Sequence, residues 1–312
     1  MMKIRTERHT RVGAVGLALI AVTALTACQS GSGSTAREAA GKPTTTVTAT
    51  PNGVKVTKVG FSGPEPTPLS KPDIDAAAAT LATPGTLSVC TALPSQPFES
   101  QDASGNIVGF DIDFMRDLAD TLHAKMSIVD VPFSAISSGQ GMLSKRCDIA
   151  AAGMSILPER RATIEFSNPY FDTQQALVVT SVSEVTTMED LKGKRVAAQA
   201  GTSGLTFLEQ NEAKYGYTVV QYDDKAAQQQ AIESGQAVAA INDLPAWSSY
   251  LKQNPNVRVA ITVDTGAQMG FGAAKGNTAL IAVTNYIVAK AQSDGAYIDS
   301  YKKWIGKVPE GA

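Results

Sequence analysis

The stretch of sequence that decides the fold runs from Gly153 to Arg160 and reads GMSILPER. It follows a short apolar run, Asp148 to Ala152, that predicts a buried strand. Pro158 suits the first turn of a helix, because its missing N–H is not needed there. Arg160 would then lie near the carboxyl end of a strand, where open α/β sheets bind ligands. Since a guanidinium can hold a carboxylate with two charge-assisted hydrogen bonds, the stretch indicates a carboxylate-binding site.

A second interpretation of Arg160 uses only local structure. The arginine could lie on an exposed first helical turn and pair with Glu159 or Glu165. Such surface pairs are common and contribute little to stability. These eight residues alone leave both interpretations open.

Periodicity along the chain indicates alternating helices and strands. We predict a short helix from Asp73 to Leu81, a strand from Leu87 to Thr91, a helix from Asp111 to Leu122 and a strand from Met126 to Val131. This order, which continues to the end, predicts parallel sheets covered by helices. About 230 ordered residues exceed one comfortable hydrophobic core, so we expect two lobes.

Further short strings accompany the first stretch in a fixed order. They are GFDID at 109–113, FSNPY at 166–170, DLKGK at 190–194, GTS at 201–203, KGN at 275–277 and KWIG at 303–306. Together with GMSILPER they resemble the bacterial extracellular solute-binding proteins of family 3, which deliver polar amino acids to ABC transporters. The resemblance covers roughly residues 85 to 306.

The resemblance implies an α/β fold of two lobes, the type II periplasmic-binding-protein-like fold, with two parallel-rich sheets joined by a two-strand hinge. Residues 73–181 and 265–312 would form lobe I, and residues 182–264 would form lobe II. The strands that cross between the lobes would be Ala176 to Val182 and Gln268 to Ala273. A lobe built from separate segments follows from the resemblance and not from composition.

The amino terminus predicts export and lipid anchoring. Four basic residues precede an apolar segment of 16 residues from Val12 to Ala27, which is short for a membrane span and normal for a signal peptide. The sequence Leu-Thr-Ala-Cys at 25–28 resembles a bacterial lipobox, so residues 1–27 would be removed and Cys28 lipidated. An ordinary secretory signal is the alternative. Residues 28–72 are rich in Ser, Thr, Gly and Pro, which predicts a flexible linker outside the cytoplasm.

Charge and residue types exclude several functions. Removing residues 1–27 takes away four basic residues and one acidic residue, which leaves a net charge of about −5 and argues against a nucleic-acid partner. The remaining histidine, His123, has no Cys/His cluster around it, so neither a metal site nor a Ser-His-Asp triad is supported. We therefore expect a monomer without metal or cofactor.

The resemblance also implies which residues bind the α-carboxylate of an amino-acid ligand. Arg160 of lobe I would hold the ligand's carboxylate. Gly153 and Ser155 would add a backbone and a hydroxyl contact, although both could equally be ordinary strand-end residues. Thr202 and Ser203 begin a helix after a strand, where backbone N–H groups would also stabilise this anion. Hydroxyl capping of that helix is an alternative that leaves other amides free.

Asp243 lies at the end of a predicted strand in lobe II and would bind the ligand's ammonium group. Alone, an aspartate before Leu244 and Pro245 could equally be a helix cap. The resemblance favours the ligand role.

Departures from the family pattern describe the side-chain pocket. Many relatives carry an acidic residue and then an aromatic residue where this chain has Ala92 and Ser95, ahead of Phe98. Without an acid, a buried cationic ligand side chain would be costly. Ile136 and Leu205 match positions that often line the pocket, so we expect an apolar, neutral site for a ligand that is not cationic.

Two local features remain. The segment Ser137 to Gly141 is an apparent insertion whose conformation the sequence does not predict. Cys90 and Cys147 could pair outside the cytoplasm. In the family their strands run side by side, and we expect the cysteines to be offset by about four residues, or roughly 13 Å. Because a disulfide needs Cα atoms within about 7 Å, we expect no disulfide.

The favoured function is therefore a non-catalytic binding protein that captures a polar amino acid in the cleft and delivers it to an ABC transporter permease. The first alternative is an enzyme on the same scaffold, similar to cyclohexadienyl or arogenate dehydratases, although we cannot place the general acid that it needs. The second alternative is a sensor whose ligand-bound form docks onto a receptor.

Overall fold

The computed structural model of the protein describes residues 44–50, 53–60 and 66–306. The predicted signal peptide and the predicted lipidation site, Cys28, lie outside these residues. Among the helices in the described ranges, none has the length and apolar character needed to cross a membrane.

An antiparallel hairpin lies within the predicted linker. Its strands are β1 (Thr44–Thr50) and β2 (Gly53–Gly60), with Thr44 opposite Gly60 and Thr50 opposite Gly53. The prediction of a flexible linker over residues 28–72 is therefore wrong for this part. Both strands are rich in threonine and valine, whose β-branched side chains favour extended backbone.

Residues 66–306 contain two five-stranded sheets and one separate antiparallel pair, formed by the strands at 100–101 and 107–108. Their strands are β3 (Thr86–Thr91), β4 (Ser100–Gln101), β5 (Ile107–Val108), β6 (Lys125–Asp130), β7 (Ile149–Ala150), β8 (Ile164–Phe166), β9 (Phe171–Thr180), β10 (Arg195–Gln199), β11 (Thr218–Tyr222), β12 (Ala239–Asp243), β13 (Val257–Met269) and β14 (Gly272–Ala274). The sheet of lobe I has the order β6-β3-β7-β14-β8, and that of lobe II has the order β11-β10-β12-β9-β13. In each sheet three neighbouring strands are parallel, with their carboxyl ends at one edge.

Helices cover these sheets. They are α1 (Lys71–Ala78), α2 (Phe110–Thr121), α3 (Phe133–Ser137), α4 (Gln140–Leu143), α5 (Ser203–Tyr215), α6 (Lys225–Glu233), α7 (Ser248–Gln253), α8 (Thr278–Asp294) and α9 (Ala296–Trp304), with short 3-10 helices at Arg160–Ala162, Glu189–Leu191 and Leu244–Trp247. The helix predicted from Asp111 to Leu122 is thus confirmed as α2, one residue earlier. Pro158 is followed by a 3-10 helix instead of an α-helix.

The paired strands β9 and β13 connect the lobes. At one end Phe171 lies opposite Met269, and both residues belong to the core of lobe I. Farther along β9, Ala176 and Val178 belong to a core of lobe II. The change of lobe therefore occurs within these two strands, near the crossing segments that the resemblance implied.

Asp111, on the first turn of α2, fixes the end of the strand that leads to Arg160. Its Oδ2 accepts hydrogen bonds from the Gly153 N–H, at 2.9 Å, and from the Tyr170 hydroxyl, at 2.8 Å. Gly153 has a φ of +54°, and a Cβ there would lie 2.8 Å from Cδ2 of Phe98. Burial raises the pKa of Asp111 to about 7, against the effect of these two bonds.

Cys90 and Cys147 form a disulfide, with Cα atoms 5.6 Å apart, so the expectation that they do not pair is wrong. The expected offset assumed that the chain before Asp148 continues the line of its strand. Instead the chain arrives from α4 through Lys145, which has a φ of 57°, and the Cys147 N–H bonds back to the Gly141 carbonyl at 3.3 Å. This turn brings Cys147 beside Cys90 within one buried cluster.

The apparent insertion joins α3 to α4 and packs against the disulfide. Ser137 ends α3, Gly139 has a φ of 81°, and α4 begins at Gln140. A Cβ on Gly141 would lie 3.0 Å from Sγ of Cys90 and 3.3 Å from Sγ of Cys147, so only a small residue fits against the disulfide there.

Loss of the disulfide should lower stability without changing the fold. The Cys90→Ala/Cys147→Ala variant frees a loop of 57 residues in the unfolded chain, which should reduce the free energy of unfolding by about 2–4 kcal/mol. Urea unfolding measures this. Reductant should lower the wild-type midpoint and leave that of the double variant unchanged. A wild-type midpoint indifferent to reductant would contradict the pairing.

Burial of Asp111 predicts a specific pH dependence. The pKa of Asp111 is higher in the folded protein than in the unfolded chain. Its contribution to the free energy of unfolding is therefore fully present below about pH 4 and is lost as pH rises through about 7. Each such proton changes the free energy of unfolding by at most about 1.4 kcal/mol per pH unit. Urea titrations at several pH values in this range measure how the free energy of unfolding changes with pH. The loss of this free energy with rising pH should be smaller in Asp111→Asn than in wild type, whereas the exposed control Asp120→Asn should behave as wild type does. Equal slopes in Asp111→Asn and wild type would contradict the assignment.

Candidate functional site

A cleft of about 760 Å³ lies where the carboxyl ends of the parallel strands of the two lobes face each other. Its walls include Ala92 after β3 and Gly153 after β7 on the side of lobe I. On the side of lobe II they include Gln199 at the end of β10 and Asp243 at the end of β12. The cleft therefore lies at the sheet edges where α/β folds bind ligands.

Arg160 is buried in this cleft, with 6% of its surface exposed. Its guanidinium donates to the carbonyl oxygens of Ser155, at 2.6 Å, and Gly201, at 2.8 Å, and lies 5.7 Å from the ring centre of Phe133. Burial lowers the pKa of Arg160 to about 10, opposed by the negative charge of Asp243. At neutral pH the group is therefore a desolvated cation held by backbone carbonyls.

The local interpretation of Arg160 does not hold. Glu165 pairs with Lys275 at 2.9 Å, and among the described residues no carboxylate forms an ion pair with Arg160. A guanidinium has five N–H donors, of which the two carbonyls use two. The arrangement leaves donors for an incoming anion.

The turn before α5 has the geometry expected of an anion-binding helix start. Thr202 accepts a hydrogen bond from the Leu205 N–H at 3.2 Å and donates to the Gln199 carbonyl at 2.7 Å, so hydroxyl capping is present. Ser203 accepts from the amide of Gln175 at 3.0 Å. Thr202 and Ser203 both line the cleft, at the positive end of a helix of 13 residues.

Asp243 is buried, and its side chain caps no helix. Its Oδ1 accepts a hydrogen bond of 2.6 Å from the amide of Gln175. Burial raises the pKa of Asp243 to about 6, while Arg160, the Gln175 bond and Lys225 act in the opposite direction. The carboxylate is therefore an acceptor that faces the cleft.

Several contacts join the two lobes across the cleft. Beyond the bond from Arg160 to Gly201, the hydroxyls of Ser155 and Ser203 lie 3.4 Å apart, and Ser249 donates to the side chain of Gln96 at 2.5 Å. These contacts belong to a closed arrangement.

The predicted side-chain pocket is only partly in the cleft wall. Ala92, Ser95 and Phe98 line the cleft. Ile136 and Leu205 are not among its lining residues. Each is buried in a hydrophobic cluster of its own lobe, because its helix turns that side chain toward the sheet. Contact of these two residues with a bound ligand stays a prediction.

The sequence analysis missed two residues of the site, one in the cleft wall and one buried behind it. Lys225 lines the cleft and donates to Ser95 of the opposite lobe at 2.8 Å, and Gln175 of β9 holds both Ser203 and Asp243. Lys225 follows the end of β11 by three positions. The rule that identified Arg160, a charged residue soon after a strand, could have identified Lys225 as well.

Comparisons with known proteins agree with this architecture. The putative ABC transporter arginine-binding protein 2 of Escherichia coli (strain K12) is 30% identical over 227 residues, which cover 71% of this chain and 91% of that protein. An ancestral arginine-binding protein bound to arginine has a TM-score of 0.67 and 33% identity, and the match covers 71% of this chain and 99% of that one. Arginine is cationic, so neither relative supports the expectation of a ligand that is not cationic.

A third similar structure is the ancestral amino acid-binding protein AncCDT-1, a precursor of cyclohexadienyl dehydratase. It has a TM-score of 0.62 and 30% identity, and the match covers 70% of this chain and 95% of that one. These likenesses show the two-lobe type II periplasmic-binding fold. The model of one family matches residues 87–307. Because this match spans more than half of the chain, the protein belongs to the bacterial extracellular solute-binding proteins, family 3.

Proposed function

We propose that the protein is an extracytoplasmic, lipid-anchored solute-binding protein that captures a polar amino acid between its lobes and delivers it to an ABC transporter permease. The observation that carries this proposal is the pair of buried, opposite charges in the cleft. Arg160 of lobe I has no ion-pair partner among the described residues, and Asp243 of lobe II accepts a hydrogen bond from a neutral amide. An α-amino acid carries the matching carboxylate and ammonium groups.

Binding would couple to movement of the lobes. In an open form water hydrates Arg160 and Asp243 separately, whereas the closed form lets one ligand contact both. The strands β9 and β13, which contribute to the cores of both lobes, would act as the hinge. The closed form would then be the state that a permease recognises.

Lipid anchoring rests on the junction Leu-Thr-Ala-Cys at 25–28, after a basic and then an apolar start. Several acyl chains on Cys28 would hold the protein durably at the outer face of the cell membrane. The mass of the amino-terminal peptide of membrane-purified protein tests this part of the proposal. A start at an unmodified residue would remove it.

A dehydratase is the weaker alternative, motivated by the similarity to AncCDT-1. Such an enzyme needs a protonated acid beside the substrate. The buried cleft carboxylate Asp243 accepts a hydrogen bond from Gln175, and its pKa, raised to about 6, still leaves it ionised at neutral pH. The fully buried Glu99 and Asp111 do not line the cleft, and the cleft-lining Asp130, Asp223 and Asp224 are exposed. Steady turnover of prephenate or arogenate by the purified protein would favour the enzyme.

The assignment of ligand groups makes a quantitative prediction. A screen of all amino acids by thermal shift identifies the ligand, because binding to the folded state alone raises the midpoint. Arg160→Ala or Asp243→Ala should then weaken binding by about 2–5 kcal/mol, at least about tenfold, since each leaves a buried ligand charge unpaired. Isothermal titration calorimetry measures the loss.

Matched controls separate this loss from general effects of charge. Arg161→Ala removes the neighbouring, exposed arginine, and Asp299→Ala removes an exposed aspartate of α9. Both should bind as wild type does. Wild-type affinity in Arg160→Ala or Asp243→Ala would show that the ligand binds elsewhere.

A further inference from the structure

Lys225 reaches across the cleft from lobe II to lobe I. It is the first residue of α6, a helix capped by Asp224, whose Oδ1 accepts the Ala227 N–H at 2.8 Å. From this fixed start its ammonium group donates to the hydroxyl of Ser95 at 2.8 Å. A lysine ammonium has three donors, and Ser95 accepts from one.

The Lys225 side chain is partly buried at the cleft wall. Among the described residues no carboxylate pairs with Lys225. Burial lowers the pKa of Lys225, and the charges of Glu99 and Asp243 oppose this shift. Glu99 is fully buried, and burial and then Asp111 raise the pKa of its carboxyl well above its usual value, which favours its neutral form. The Lys225 ammonium therefore lies at the cleft wall with no carboxylate within ion-pair distance among the described residues.

The interior of the cleft thus holds two cations and one anion. The cations are Arg160 and Lys225, and the anion is Asp243. Other carboxylates lie at the exposed rim, where water screens them; these are Asp130, Asp223 and Asp224. A ligand that pairs with each of these three charges carries two negative charges and one positive charge.

The wall opposite Lys225 also leaves room for a side chain. Ala92 and Ser95 are both small, and both line the cleft. A group placed there could approach the Lys225 ammonium and the Ser95 hydroxyl together, since the two lie within hydrogen-bond distance of each other. Both groups can donate to an oxygen acceptor.

We propose that Lys225 selects an acidic amino acid, whose side-chain carboxylate binds the Lys225 ammonium while Arg160 and Asp243 hold the α-carboxylate and α-ammonium. This inference rests on the proposed function and names its ligand class. A dicarboxylic amino acid has the required two negative charges and one positive charge. A cationic side chain would instead meet the Lys225 charge at short range.

Titration calorimetry of the full-length protein tests this assignment. The probes are L-aspartate, L-glutamate, their amides L-asparagine and L-glutamine, and L-arginine and L-histidine. An acidic amino acid should bind at least about tenfold more tightly than its own amide. Lys225→Met should abolish this preference by weakening binding of the acid at least about tenfold and leaving binding of the amide within about threefold.

Three further variants make the test specific. Lys225→Gln should behave as Lys225→Met does. Agreement between the two variants would show that the effect does not come from a folding defect in one of them. Lys225→Arg keeps the charge and should keep the preference for the acid. Lys194→Met removes an exposed lysine at the amino end of β10, away from the cleft, and should change nothing.

The contrary outcomes are distinct. Tighter binding of arginine or histidine than of either acid would overturn the inference and leave the proposed function standing. Preference for the acid that survives in Lys225→Met and Lys225→Gln would overturn the role of Lys225. If none of the six probes nor any other amino acid binds, the proposed function itself fails.

Discussion

A buried guanidinium without a carboxylate partner is the constraint on which the cleft depends. Arg160 is held by carbonyl oxygens from both lobes, Ser155 on one side and Gly201 on the other. Carbonyl dipoles make a buried cation tolerable, but they do not neutralise it. The same contacts that hold the arginine therefore draw the lobes together and leave an electrostatic need that an anionic ligand group can satisfy.

Two features of lobe I hold the residues beneath the cleft in place. Asp111 ties Gly153 to Tyr170, and the disulfide between Cys90 and Cys147 ties β3 to the turn before β7. Both features act within lobe I, and neither links it to lobe II. The lobes can thus stay stiff while the angle between them changes, which is what capture by closure requires.

Local pattern predicted much of this structure, and long-range geometry accounts for the failures. The strand-end rule predicted an Arg160 that lies in the cleft wall, and helical spacing predicted α2 almost to the residue. The cysteine pairing was missed because it depends on a turn with positive φ that no periodicity reports. Ile136 and Leu205 lie on helices beside the cleft, with their side chains in hydrophobic clusters, a direction that motif resemblance does not report.

The sequence analysis identified Arg160 and Asp243 among the charged residues of the cleft but not Lys225. Lys225 comes from the second lobe, and its meaning depends on Ser95, which lies 130 residues earlier. The departures from the family pattern suggested a neutral pocket because they showed a missing acid and could not show a cation arriving from across the cleft. A resemblance at the level of motifs aligns the groups that bind the α-carboxylate and α-ammonium, whereas the side-chain pocket is where relatives differ.

A crystal structure of the protein with the amino acid that raises its unfolding midpoint most would test the central claim most directly. The account predicts a closed cleft with ligand carboxylate oxygens about 3 Å from the guanidinium of Arg160 and the ligand ammonium about 3 Å from the carboxylate of Asp243. A ligand bound outside the cleft, or one whose ammonium group lies away from Asp243, would contradict it.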